Sequence, residues 1–202
     1  GVQYNVMATV NRQSEGRGLE IYQFLKSAGT RFIQIMPVLE HTKDGLIVDP
    51  QVQGARIAPW SVSPEGYGRF LCDIFDEWVV NDVGQTYVQL FDTTLALWCG
   101  AKPGVCSMGE TCGDSLVVEH NGDVYPCDHF VYPQYLLGNI NDTHLKDMYN
   151  SHKRLAFGLE KRNGLTSECF RCRYHFACHG ECPKHRFILG PDGGRKNALC
   201  DG

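Results

Sequence analysis

Seven cysteines in the second half of the chain fall into one spaced pattern, and an eighth precedes it by six positions. From Cys112 the pattern reads C-x9-G-x4-C, then after 41 residues C-x2-C-x5-C-x3-C, then after 17 more a final C. The residues are Cys112, Gly122, Cys127, Cys169, Cys172, Cys178, Cys182 and Cys200, with Cys106 completing eight thiols. Thiolates in fours hold tetrahedral zinc or iron–sulfur clusters, so eight suit two centres. Disulfides compete poorly. A C-x2-C loop is too tight for ordinary bridge geometry, and this thiol density in an α/β-like chain points to metal. Spacing alone separates neither zinc from iron nor one set of four from another. Read locally, Cys169, Cys172, Cys178 and Cys182 form the natural quartet. Cys72 and Cys99 stand outside the pattern. Cys72 lies in an apolar helical stretch, where a buried core thiol is expected.

Asp128 follows Cys127 directly. A carboxylate beside a metal centre in a closed site can have its proton affinity raised to that of a general base. The competing reading has it ordering the end of a hairpin. His129 is expected to face solvent or to pack. His41, His144 and His152 lack metal-ligand spacing and are expected on the solvated surface.

The elements that must position these groups are partly legible. Residues 2–10 alternate apolar at 2, 4, 6, 8 and 10, which predicts a strand. After a polar loop, residues 19–28 place Ile21, Phe24, Leu25 and Ala28 on one helical face, with Gly29 as the stop signal. Residues 31–39 predict a second apolar strand, so the three elements form a βαβ unit with a parallel pair. Residues 40–63 read as loop. Ser63-Pro64-Glu65 starts a helix, with Phe70, Leu71, Ile74, Phe75, Trp78 and Val79 recurring at helical period as a core face. A short strand is expected at 86–91 and a short helix at 93–99. Beyond Cys106 the texture changes to Gly, Cys and turns, so the domain boundary is placed near residue 100, giving 1–100 and 101–202. Asn121-Gly122 between 116–119 and 124–125 predicts a type I′ hairpin that returns Cys127 to Cys112. Residues 143–157 read as a helix, and 169–200 as knuckles and short turns.

Composition narrows the function classes. At 202 residues with 43% hydrophobic content the chain can bury a core. The net charge of −4 and the lack of a Lys/Arg stripe argue against nucleic acid. No apolar run reaches membrane-spanning length, so no membrane partner is expected. Abundant unpaired-looking thiols predict a reducing, cytoplasmic setting.

The full cysteine pattern from Cys112 to Cys200 resembles the SPASM domain, the auxiliary-cluster domain of radical-SAM peptide- and protein-modifying enzymes. Cys106 and the run Tyr125-Pro126-Cys127-Asp128 narrow the resemblance to the anaerobic sulfatase-maturating enzymes. The resemblance implies an α/β fold: the C-terminal part of a partial (β/α) radical-SAM barrel, followed by a Cys-rich SPASM domain with a β-hairpin and short helices. It implies two auxiliary 4Fe-4S clusters, one on Cys106, Cys112, Cys127 and Cys182, the other on Cys169, Cys172, Cys178 and Cys200. It makes Asp128 the general base and matches Leu39 to an adenine-contacting leucine.

The implied reaction is oxidation of a Cys or Ser in a sulfatase to formylglycine. A 5′-deoxyadenosyl radical takes a hydrogen from the substrate Cβ, after which a proton and an electron must leave. S-adenosylmethionine and a third 4Fe-4S cluster would serve the first step, and flavodoxin or ferredoxin would donate electrons. The radical-SAM triplet C-x3-C-x2-C is absent from these residues. The nearest run, Cys178-His-Gly-Glu-Cys182-Pro-Lys-His185, has His in third place and cysteines already used. The chain is therefore expected to be the C-terminal part of a longer enzyme, inactive in radical chemistry by itself. Two alternatives stay open: a SPASM maturase of a ribosomal peptide, for example by thioether crosslinking, and a zinc-binding interaction domain. Zinc or empty thiols could also replace clusters in this piece.

Overall fold

The structure, a computed structural model, describes residues 2, 4–50 and 52–202. It divides into two compact units, Gly1–Lys102 with Ala198–Gly202, and Pro103–Asn197.

In the first unit, β1 (Val6–Val10) leads through α1 (Gly18–Ser27) to β2 (Phe32–Pro37), and the strands pair in parallel from Val6↔Ile33 to Val10↔Pro37. Alternation produces this. Within β1, Met7 and Thr9 are exposed while Val10 is buried. Of the predicted 2–10 strand, Val2, Tyr4 and Asn5 are not extended sheet, and Gln3 lies outside the described residues.

Residues 40–63 are more ordered than expected. They form an antiparallel sheet of β3 (His41–Lys43), β4 (Leu46–Val48) and β5 (Arg56–Ile57), in the order β4-β3-β5. Asp44 (φ 53°) and Gly45 (φ 80°) turn the β3–β4 hairpin in the left-handed pair that a type I′ turn needs. His41 was expected on the surface. It is buried, because it lies in the central strand between Val48 and Ile57.

Helix α2 (Pro64–Asn81) starts where Ser63 Oγ accepts from the Gly66 amide at 3.1 Å. Phe70, Ile74 and Trp78 form its buried stripe, while Phe75 and Val79 at the stripe's edge are exposed. Cys72 is exposed, not a core thiol, since it is two positions from both Phe70 and Ile74 and so faces away. The expected 86–91 strand shrinks to β6 (Tyr87–Val88), paired in parallel with β2, and the chain turns helical at once in α3 (Gln89–Trp98). A short apolar run does not distinguish the two states.

The core of this unit joins Val10, Ile33 and Ile35 of the sheet to Tyr22, Phe70, Ile74, Trp78, Val88 and Phe91. On α1 the buried aromatic is Tyr22, and Phe24, expected on the core face, is exposed. Tyr22 is anchored by its hydroxyl, which donates to Asp82 Oδ2 at 2.7 Å, and Lys26 Nζ closes the group at 2.6 Å from the same oxygen. Phe70 is fully buried at 0% exposure. Phe70→Ala is expected to cost about 3–5 kcal/mol of stability. Chemical denaturation followed by tryptophan fluorescence measures this, and a cost under about 1 kcal/mol would mean that the site collapses around the cavity.

In the second unit, β7 (Val117–Val118) and β8 (Asp123–Tyr125) form a hairpin, and β9 (Gly138–Asn139) adds to β8. The turn is not type I′. Gly122 N–H donates to Glu119 O at 2.8 Å, and Gly122 alone adopts a left-handed φ, of 90°. This is the three-residue loop in which a right-handed turn ends on one left-handed glycine. A Cβ there would also lie 2.7 Å from Asn139 Oδ1.

The expected 143–157 helix is two helices, α4 (Leu145–Tyr149) and α5 (His152–Asn163). Asn150 ends the first, and Ser151 Oγ caps the second by accepting from Arg154 N at 3.3 Å. Then come α6 (Ser167–Arg171), α7 (His175–Cys178) and the pair β10 (Ile188–Leu189) with β11 (Arg195–Lys196). The apolar centre is small: Met108, Val124, Tyr125, Phe130, Met148, Leu165 and Ala177, with Phe130 edge-on to Phe157 at 5.1 Å.

Candidate metal centres

Four of the cysteines lie on four separate segments of the second unit. Cys106 opens a 3-10 turn (Cys106–Met108), Cys112 lies against α5, Cys127 follows β8, and Cys182 precedes another 3-10 turn (Pro183–His185). Helix α5 approaches the Cys112 backbone closely, with Cys112 N–H donating to Gly158 O at 3.4 Å. A Cβ on Gly158 would lie 2.3 Å from Cys112 O, so only glycine permits this contact.

The four thiols feel one another. The charge of Cys106 acts on Cys112, that of Cys112 on Cys127, and those of Cys127 and Cys106 on Cys182. Cys182 also acts on Arg186 together with Cys169 and Cys178, so it lies within reach of both sets of thiols. The backbone between Cys178 and Cys182 is unusual. His179 (φ 45°), Gly180 (φ 72°) and Glu181 (φ 57°) are three left-handed residues in succession, two of them not glycine. Such a run reverses the chain and stores strain that only surrounding contacts sustain.

Arg186 supplies those contacts. Its Nε donates to Gly180 O at 2.7 Å, and Nη2 to His179 O and Glu181 O at 2.7 Å each. A further bond runs from Nη1 to Lys161 O. Lys161, on α5, donates in turn to Cys106 O at 2.5 Å and Ser107 O at 2.7 Å. Both cations are buried, at 6% and 1% exposure. Burial pulls the proton affinity of each below its ordinary value.

The other three second-unit thiols lie on the α6–α7 knuckle. Cys169 is in α6, Cys172 ends it, and Cys178 ends α7. Cys172 Sγ accepts from the Tyr174 amide at 3.4 Å, and the charges of Cys169 and Cys178 act on Arg186. Cys200 is exposed and belongs to the last five residues, which are part of the first unit.

Burial pushes the Cys127 thiol up to about 12, helped by its bond to Asp128 Oδ1 at 3.3 Å. Burial also raises Cys112 and Cys182. Left to themselves these sulfurs keep their protons; a metal takes them as thiolates and releases the protons. Among the described residues no three His, Cys, Asp or Glu side chains are gathered tightly enough for a single ion. Tetrahedral zinc at its usual Zn–S length would need sulfurs about 3.8 Å apart. A four-iron cluster gives each thiolate its own iron and spaces the sulfurs more widely. Thiols beside buried cations suit an anionic centre of that kind.

Asp128 is exposed, beside Cys127 at the end of the hairpin. His129, expected to face solvent or pack, places Nδ1 3.4 Å from Cys182 Sγ. Leu39 is 4% exposed, two residues beyond β2, and offers a ligand almost no surface. Lys161 and Arg186 carried no sequence signal of their own. The buried series Arg154, Gly158, Lys161, spaced by four and three along α5, is the trace that marks that face.

Residues 106–173 match the SPASM iron–sulfur cluster-binding domain. Over its whole length the chain is 46% identical to a serine-type anaerobic sulfatase-maturating enzyme of Bacteroides thetaiotaomicron, of which it covers 50%. It is 29% identical over 99% of its length to a cysteine-type anaerobic sulfatase-maturating enzyme of Clostridium novyi, covering 51% of it. The solved structure of native anSMEcpe with bound AdoMet and Cp18Cys peptide superposes at a TM-score of 0.81 and 25% identity, covering 98% of this chain and 53% of that one. The chain thus spans about half the length of the relatives it matches. No helix among the described residues is long and apolar enough to cross a membrane.

Proposed function

We propose that the chain is part of an anaerobic sulfatase-maturating enzyme with a SPASM domain, the part that holds two auxiliary 4Fe-4S clusters. Cys106, Cys112, Cys127 and Cys182 hold one, and Cys169, Cys172, Cys178 and Cys200 the other. The observation that carries the reading is the cysteine pattern, of which residues 106–173 match the SPASM iron–sulfur cluster-binding domain, while the division into two sets follows the resemblance. The division into residues 1–100 as barrel and 101–202 as cluster domain is part of the same proposal.

The reaction served is oxidation of a Cys or Ser in a sulfatase polypeptide to formylglycine. The clusters, when bound, supply one-electron transfer. The chain's own residues do the rest. Cysteines ligating every iron leave none open for substrate, so the centres carry electrons and do not bind the reacting side chain. Asp128 takes the proton from the substrate thiol or hydroxyl. Its exposure and its place directly after a ligand support this role, since it is reachable by substrate yet fixed to the cluster's edge. Leu39 lines the adenine site at the strand end, through the little surface it exposes. S-adenosylmethionine and a third 4Fe-4S cluster belong to the full-length enzyme, with Leu39 the adenine contact contributed from these residues. Flavodoxin or ferredoxin is the electron donor, and the cytoplasm is the setting.

Anaerobic reconstitution should load roughly eight irons per chain, at four per four-thiolate cluster, with broad absorbance in the visible. Saturation with two zinc ions and no uptake of iron would overturn the reading in favour of a structural metal site.

A further inference from the structure

Lys161 and Arg186 are charged, buried and bonded to carbonyl oxygens alone. Buried Arg154 in the same unit differs, since its Nη1 is 2.9 Å from Asp114. Among the described residues, neither Lys161 nor Arg186 has a carboxylate at ion-pair distance. Glu181 is the carboxylate that acts on both from nearby, but it is engaged by His185 Nδ1 at 3.2 Å and Asn197 Nδ2 at 2.5 Å. A cation buried without an anion is costly, and proteins keep one where an anion arrives later.

The thiols show which anion this is. Lys161 Nζ bonds the carbonyls of Cys106 and Ser107, and Arg186 bonds those of the three residues between Cys178 and Cys182, so both charges sit on thiol-bearing backbone. The charges of Cys106, Cys112 and Cys182 act on Lys161 and those of Cys169, Cys178 and Cys182 on Arg186. Arg186 also bonds the Lys161 carbonyl, so the two cations form one connected pair. We propose that Lys161 and Arg186 are built-in counter-charges of the thiolate-held centres, stabilising the loaded state and raising its reduction potential. The proposal rests on the cluster reading above and assigns the two residues a positioning and tuning role. Four thiolates bring more negative charge than the metal core offsets, and reduction adds another electron. A fixed positive charge nearby favours the reduced form, as charge and hydrogen bonding around a cluster do in general. The competing view is that both side chains only pin carbonyls, Lys161 at the Cys106 turn and Arg186 at the left-handed reversal.

Lys161→Gln and Arg186→Gln keep N–H donors but remove the charge; Lys161→Arg and Arg186→Lys keep it. Each form of the 202-residue chain is reconstituted anaerobically. Iron per chain, midpoint potential by EPR titration, and melting temperature before and after loading are then read. The glutamine variants should lower the reduction equilibrium constant about tenfold, about 59 mV for one electron. They should also gain less melting temperature on loading than the parent, and the charge-keeping variants should restore both. Unchanged potentials at full iron content, or an unchanged gain on loading, would overturn the proposal. If Lys161→Gln fails to load, Lys161→Arg decides: loading supports the counter-charge role, and failure leaves only a pinning role. If the parent itself takes zinc and no iron, the cluster reading falls. The loading gain measured with zinc still decides the counter-charge role, because a four-thiolate zinc site is also an anion.

Discussion

Asp128→Asn, in an enzyme carrying both this segment and the radical-forming half, should cut formylglycine production by about two to four orders of magnitude, the usual scale for losing a general base. The substitution keeps shape and removes basicity. Without metal, Asp128 Oδ1 accepts a bond from the Cys127 thiol at 3.3 Å. Once Cys127 is a ligand it has no proton to donate, so that oxygen becomes available to substrate. An asparagine oxygen can replace the first role but not the second. Hydrogen abstraction depends on S-adenosylmethionine and not on this carboxylate, so 5′-deoxyadenosine should fall far less than the aldehyde. The measurement is the ratio of the two products at full iron content. Formylglycine at the parent rate, with iron retained, would make Asp128 a residue that only orders the hairpin end, and the base would lie elsewhere.

The parts of this molecule legible in sequence are those that periodicity or spacing imposes. The β1–α1–β2 unit follows from alternation and a helical stripe, and the structure pairs the two strands in parallel. The cysteine spacing announced a metal-binding domain, and its resemblance to the SPASM pattern, which residues 106–173 match, made that an iron–sulfur domain. The hairpin was legible, but its turn class was not, because Asn-Gly serves both a type I′ turn and a turn closed by one left-handed glycine, and here only Gly122 is left-handed. Asp44-Gly45 carried the stronger signal of that kind and was passed over amid the prolines and glycines of 40–63. Tyr22 outcompetes Phe24 for the core because Asp82, itself bonded by Lys26, accepts from its hydroxyl inside, and no helical wheel contains that partner.

The candidate site was least legible where tertiary structure overrides local preference. Nothing in His179-Gly180-Glu181 marks three left-handed residues, since two of the three rarely adopt that conformation. Arg186 holds the reversal from outside the run. Lysine and arginine read as solvated in any sequence, so Lys161 and Arg186 become visible only through their burial and their carbonyl partners. The grouping of the thiols comes from resemblance alone and is part of the proposal.

Cys182→Ala puts that grouping to a quantitative test. The reconstituted variant should keep roughly four irons of about eight, because one four-thiolate centre loses a ligand and the other does not. Cys112→Ala should lose the same centre, with the same EPR signal missing. The double variant of Cys112 and Cys182 should then lose no more iron than either single variant, since both residues serve one cluster. The double variant of Cys172 and Cys182 should lose both centres. Local spacing makes the reverse forecast: pairing Cys182 with Cys172 would be redundant, and pairing it with Cys112 would abolish all iron. Cys99→Ala, outside the pattern, should retain the full complement and calibrates the loss. Binding and folding are coupled in metal-stapled segments, so each centre lost should also lower the melting temperature of the loaded chain. The effect should be large, because Met108, Val124, Tyr125, Phe130, Met148, Leu165 and Ala177 are a slender apolar core to hold the second unit together alone. Full iron loss in the Cys112 and Cys182 pair, with half retained in the Cys172 and Cys182 pair, would return Cys182 to its sequence neighbours and leave the left-handed reversal without a purpose in metal binding.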